Sequence, residues 1–255
     1  MKLIQELLQV APDGIVEQVH IGLHWTAVSA RVGGKLSCGL ASTLHGSHHH
    51  GGADVPKAGE LTEMSARELA ALADSANQPT LCSLGVATLN ALLTPGVQET
   101  NEMNAEEMIA RLGAGKRVAL VGHFPFIESL KRRVGELKVL ELNPRPGDHP
   151  AEAAPAVLGQ AEVAAITGMT FQNHTLERLL ELTAPGAQIL ILGPSTPLHP
   201  RLFSHGIGVL SGAVVMDIPR VMRCVAQGGN FQQIHRSGVR LVNLARPDLA
   251  ALLGN

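Results

Sequence analysis

Arg117-Val118-Ala119-Leu120-Val121-Gly122-His123-Phe124-Pro125 is the stretch that decides the fold. Four apolar residues in a row, closed by a glycine, read as a strand buried on both faces that stops at a tight turn. Pro125 suits the first turn of a following helix. The same grammar recurs at Leu137 to Leu142, Val163 to Thr167 and Gln188 to Leu192, with helical stretches between. The short runs Gly208-Val209-Leu210 and Val239 to Val242 are expected to add edge strands. Apolar strands alternating with helices predict a parallel sheet covered on both sides. Right-handed crossovers then give a Rossmann-like doubly wound α/β unit.

Ligands of such a sheet bind beyond the carboxyl ends of its strands, where strand order reverses. The residues just after each strand are therefore the candidates. Gly122, His123, Phe124 and Pro125 follow the first strand. Free N–H groups and a helix dipole there favour an anion, although one glycine does not make a GxGxxG loop, and a plain turn stays open as the alternative. Glu141, Asn143 and Pro144 follow the second strand. An acid about twenty residues past the turn glycine often accepts hydrogen bonds from a ribose-like diol; a solvated acid is the competing reading. Thr167 and Thr170 follow the third, where capping the next turn is the simpler role. Gly193, Pro194, Ser195 and Thr196 open a proline-stiffened loop after the fourth, suited to a preorganised wall. Asp148 and His149 sit in a Pro/Gly-rich loop that reaches the rim, with Asp148 as a turn residue the bland reading. Asp217 reads as the cap of a helix beginning at Ile218-Pro219. Of these groups His123 is the acid/base candidate, because an imidazole changes charge near neutral pH. Glu141 is the candidate to orient a diol or an amine.

Upstream, the pattern changes. Leu3, Ile4, Leu7 and Leu8 repeat at helical spacing until Pro12-Asp13-Gly14 breaks the run. Ile15 to Ala30 alternates as strands do, and Val32-Gly33-Gly34-Lys35 reads as a hairpin turn. Ser65 with Glu68 is a capping box, and Leu84 to Leu93 is a very apolar helix. These features predict a small α+β unit over 1–98, ahead of the Rossmann-like unit over 99–255.

The composition narrows the partners. The 255 residues are 45% hydrophobic and 16% charged, with a formal charge of -2. A nucleic-acid partner, which wants a basic surplus, is not expected. Aromatics are 2%, with no tyrosine, so a base-stacking platform is not expected either. No apolar run approaches the ~20 residues that span a bilayer, and the start lacks a signal-peptide pattern. Cys38, Cys82 and Cys224 lie far apart, which predicts reduced thiols and a cytoplasmic protein. A homodimer is compatible with the apolar first half. Finally, His45, His48, His49 and His50 fall in a glycine-rich loop. Imidazoles so spaced can chelate a transition metal, or form a solvated polar tip.

At the strand-end loops the chain resembles a known family. The matching residues are Val121 to Pro125 with Glu128-Ser129-Leu130, then Leu140-Glu141 with Pro144, and Gly147-Asp148 with Pro150. The longest match runs through Gly193-Pro194, Thr196-Pro197-Leu198, Pro200, Leu202-Phe203, His205-Gly206 and Leu210-Ser211-Gly212. Ser83 to Ala87 with Asn90-Ala91 is similar too. The chain thus resembles the heavy-metal-chelation family, a domain of unknown function. That resemblance implies an enolase-N-terminal-like domain before the Rossmann-like one, with a site between them that includes Asn90. It implies condensation or hydrolysis of a pterin-, flavin- or siderophore-like molecule, linked to metal handling. It also implies an acid shortly before Ser83-Leu84-Gly85, where this chain has Leu81-Cys82. Two other functions compete with this one: non-enzymatic metal delivery through the His45–His50 loop, and S-adenosylmethionine-type methyl transfer.

Overall fold

The computed structural model describes residues 1–46, 53–96 and 100–250. Helix α1 (Lys2–Val10) puts Leu3, Ile4 and Leu7 into the core. Three antiparallel strands follow, β1 (Ile15–Ile21), β2 (Trp25–Val32) and β3 (Lys35–Ser42), in that spatial order. Helix α2 (Ala66–Ala71) starts with the expected capping box of Ser65 and Glu68. Helix α3 (Pro79–Leu92) is buried almost all round, as a helix without a polar face must be.

After α4 (Ala105–Gly113) the large sheet begins with β4 (Arg117–Val121). It continues through α5 (Ile127–Leu130), β5 (Glu136–Glu141), β6 (His149–Pro150), α6 (Ala154–Leu158), β7 (Val163–Thr167), α7 (Leu176–Leu182) and β8 (Gln188–Leu192). It ends with β9 (Ile207–Val215), α8 (Ile218–Ala226), α9 (Phe231–Arg236), β10 (Val239–Ala245) and α10 (Pro247–Ala250). The strand order is β10-β9-β8-β7-β4-β5-β6. All neighbours are parallel except β10 against β9. The α/β doubly wound sheet is therefore as expected. Two details differ. The run at 208–210 belongs to a nine-residue interior strand, not to an edge. His149-Pro150, expected in a loop, is a two-residue edge strand beside Leu140 and Glu141.

Alternate residues of each central strand enter two different cores. Val118 and Leu120 pack with α4 and α5, while Ala119 faces the other way, into a core shared with α1, α3, α6 and α7. That explains why the strands read as unbroken apolar runs. The small sheet is covered twice as well. Val28, Ala30 and Ala41 pack in the core of α3. Ala27, Cys38 and Leu40 pack on Val221, Met222 and Val225 of α8. The small sheet is thus wedged between α3 and α8.

Candidate functional site

Strand order reverses between β4 and β7, and a cavity of about 530 Å³ opens there. Val121, Gly122, His123, Phe124 and Pro125 line it from β4, and Leu140, Glu141 and Leu142 from β5. Thr167 to Thr170 line it from β7, and Leu192 to Ser195 from β8. This is the crevice at which doubly wound sheets bind ligands. Gly193 has φ +111 with open space around the position a Cβ would take, so the loop's backbone itself forms wall.

The small unit closes the cavity from above. Trp25 and Ser42 are paired neighbours at the ends of β2 and β3, and both line it. Phe231 at the start of α9 packs on Trp25, ring centroids 5.4 Å apart. The Ser42 amide donates to Ser195 Oγ at 2.9 Å, and Gln172 Nε2 donates to the Ser42 carbonyl. Gln172 also donates to Ser83 Oγ, which ties α3 to the same seam.

His123 Nδ1 lies 3.3 Å from Asp148 Oδ2, and Asp148 also accepts the Arg145 amide at 3.0 Å. Asp148 is thus both a turn residue and the partner of His123. A carboxylate can only accept, so Nδ1 is the donor in this contact, and in the neutral ring that leaves Nε2 as the acceptor. Glu141 Oε1 accepts the amide of Leu142. Thr167 caps the turn after β7, its hydroxyl accepting from the Met169 amide; Asp217 caps α8.

Four expected lining residues lie elsewhere. Asn143 and Pro144 are exposed beyond β5, because the chain turns outward after Leu142. Thr196 is buried behind the wall, against Gly168 and Gly212. Asn90 braces the wall from behind, donating to the Leu40 carbonyl at 2.8 Å and the Pro194 carbonyl at 3.5 Å. Leu81 and Cys82 are buried in α3, Cys82 beside His174. Of the histidine loop, His45 has a ring nitrogen 3.2 Å from the Leu23 carbonyl. His48, His49 and His50 lie outside the described residues. Among the described residues no three His, Cys, Asp or Glu gather into a metal-holding group. Nor is any described helix long and apolar enough to cross a membrane.

Trp25, Ser42, Asn173, Leu179 and Phe231 are among the lining residues that no local pattern marked out. The isolated tryptophan was the one available signal, since a large amphipathic ring in an aromatic-poor chain is costly to leave without a role.

Two family models cover this architecture, one matching residues 104–243 and the other residues 4–93, both described as "putative heavy-metal chelation". The chain belongs to that family, DUF364. A family member of unknown function from Desulfitobacterium hafniense is similar in structure, with 28% identity, a TM-score of 0.81, and 96% of this chain and 98% of that chain covered. Another from Pyrococcus horikoshii has 20% identity, a TM-score of 0.80 and the same coverage, and shows the shared fold. No curated protein matches.

Proposed function

We propose that this family member binds a small ring-bearing organic molecule at the strand-order reversal and acts on it chemically, in the service of heavy-metal handling. One observation carries the reading. The chain has only six Trp and Phe residues, and three of them, Trp25, Phe124 and Phe231, line this cavity beside His123 and Glu141. Stacking surface is concentrated where a ligand would sit, with a few polar groups to orient it. A pterin-, flavin- or siderophore-like molecule fits that chemistry. His123 is the acid/base, held by Asp148, and Glu141 takes a diol or amine of the ligand. The reaction is a condensation or a hydrolysis. In this reading the metal is cargo of the organic molecule.

Trp25 is the sole tryptophan and tyrosine is absent, so the intrinsic fluorescence reports this cavity. Titration with flavin mononucleotide, a pterin and S-adenosylmethionine should give saturable quenching with one of the first two. Glu141→Gln should weaken that binding by about 10- to 100-fold, the loss of a hydrogen bond to a charged group. No saturable response to any of the three would sink the proposal. Tight S-adenosylmethionine binding alone would transfer it to methyl-transfer chemistry.

The family's description favours a second reading, direct metal binding, for which the histidine loop is the candidate segment. Equilibrium dialysis against Zn²⁺ or Ni²⁺ tests it. The His48→Ala, His49→Ala, His50→Ala triple variant should lose the tight site; unchanged stoichiometry would remove the loop from consideration.

A further inference from the structure

A second, larger cavity of about 700 Å³ lies on the β9–β10 side of the first. The two share Phe124, Pro125, Leu192, Gly193, Pro194 and Phe231 as a common sill. Together they exceed the ~1,000 Å³ at the upper end of ordinary small-molecule sites. One compact ligand in the first chamber leaves the second unaccounted for.

The second chamber combines aromatic rings with a few buried polar groups. Phe126 lines it and packs on Phe124 of the sill, with centroids 5.2 Å apart and rings nearly parallel. Phe231 meets Trp25 on the side of the first chamber and His235, at 5.9 Å, on the side of the second. Four of the six Trp and Phe residues therefore surround the two chambers. The floor holds a satisfied polar pair, Ser211 Oγ donating to Asn243 Oδ1 at 2.6 Å, with both residues buried. At the mouth Met216 and Leu241 are among the most exposed large apolar side chains, 53% and 44%. A surface of this kind costs free energy when it faces water, and flat apolar rings cover it best.

We propose that the second chamber is a separate binding site for a second ring-bearing, mainly apolar small molecule, set beside the first ligand across the Gly193-Pro194 sill. The proposal rests on the preceding reading only for what fills the first chamber.

Methionine methyls report on each chamber. Met103 and Met216 line the second, Met169 lines the first, and Met108 and Met222 lie in the core. Full-length protein with labelled methionine methyls is titrated with quinoline, a neutral bicyclic ring. Met103 and Met216 should shift saturably with one shared midpoint, distinct from that of Met169, while Met108 and Met222 stay put. Leu241→Trp and, separately, Met216→Trp should each weaken the Met103 response at least tenfold and leave the Met169 response unchanged. Both replace exposed side chains, so folding is not at stake. Three results overturn the proposal: a response confined to Met169, one midpoint for all three methyls, or Met103 shifts indifferent to both variants. A Met216 shift that follows protein concentration without probe, with doubled mass in sedimentation, also overturns it, by assigning the chamber to a second copy. A response at Met103 and Met216 but not at Met169 upholds this site and counts against ligand binding in the first chamber.

Discussion

The three thiols are chemically unequal. Burial pushes the Cys38 thiol up to about 12. Burial, with the Asp74 charge adding to it, pushes Cys82 up to about 11. Cys224 is only half-buried. Since the thiolate is the reacting form, a thiol-selective disulfide reagent at pH 8 should modify at most one group per native chain, Cys224. All three should react in urea, and fast native modification of two would contradict this placement. His123 poses the opposite kind of question. The imidazole is 27% exposed, and Asp148, though its side chain is only 6% exposed, keeps the Arg145 amide as a donor when the ring is removed, so the contact is worth about 1 kcal/mol. His123→Ala should therefore lower the melting temperature by less than about 4 °C. On the substrate that the titrations identify, it should cost about 10²- to 10⁴-fold in turnover. Parallel losses of stability and turnover would make His123 a structural residue. The placement of His123 and Glu141 at the cavity was readable in advance because each lies at or just past a strand end, and strand ends are legible from local pattern. Trp25 and Phe231 were not, since nothing within either neighbourhood refers to the other.

Helix α3 shows what a local pattern omits. Its apolar run announces burial, yet not the distance of approach. A Cβ on Gly85 would lie 1.9 Å from the Ala73 amide nitrogen, a contact no side chain can make. Gly85 thus lets α3 lie directly on the turn after α2. Gly85→Ala should destabilise the protein by about 3 kcal/mol, at the upper end of overpacking costs because backbone cannot yield as a side chain does. Urea unfolding measures it, and a loss below about 1 kcal/mol would mean that α3 shifts to relieve the contact. Ser83, two residues earlier, accepts from the Leu44 amide and from Gln172, so this part of the helix serves as a seam between the two units. The Ser-x-Gly spacing noted in the sequence has that structural cause.

At the scale of the molecule, α1 is held by charge as well as by its apolar stripe. Asp74 pairs with the N-terminal amine and accepts from Gln5. Burial alone would raise its pKa, but these hydrogen bonds outweigh it and hold the carboxyl below its ordinary value. On the other side of the helix, Glu6 accepts a hydrogen bond from His205, which lowers its pKa in the same direction. A carboxylate with a depressed folded pKa stabilises fully above its unfolded value, near 4, and loses that contribution as pH falls through the folded value. Asp74→Asn should therefore cost about 1–2 kcal/mol at pH 6, with the gap closing below pH 4. Urea midpoints of both proteins across pH 2–7 test this; a gap independent of pH would show that Asp74 acts by shape rather than charge. The same curves, followed by Trp25 emission and by far-ultraviolet circular dichroism, should coincide. One core runs from α1 and α3 into β4, β5 and β7, so the two units have no separate interior to lose first.

The amino-acid sequence by itself determined the four central strands of the large sheet and that they run parallel, the capping residues Ser65 and Asp217, and the strand-end loops that line the cavity. Each of these is written in a window of a few residues, as a period, an apolar run or a cap. Only the tertiary structure decided that Trp25 and Ser42 close the cavity and that Phe231 lines both it and a second chamber. It alone decided that α8 covers the outer face of the small sheet, and that Asn90 and Thr196 stand behind the wall instead of in it. These facts depend on how elements as much as two hundred residues apart pack against one another. Side-chain volume and sheet register set such packing jointly, and no single stretch of the chain records it.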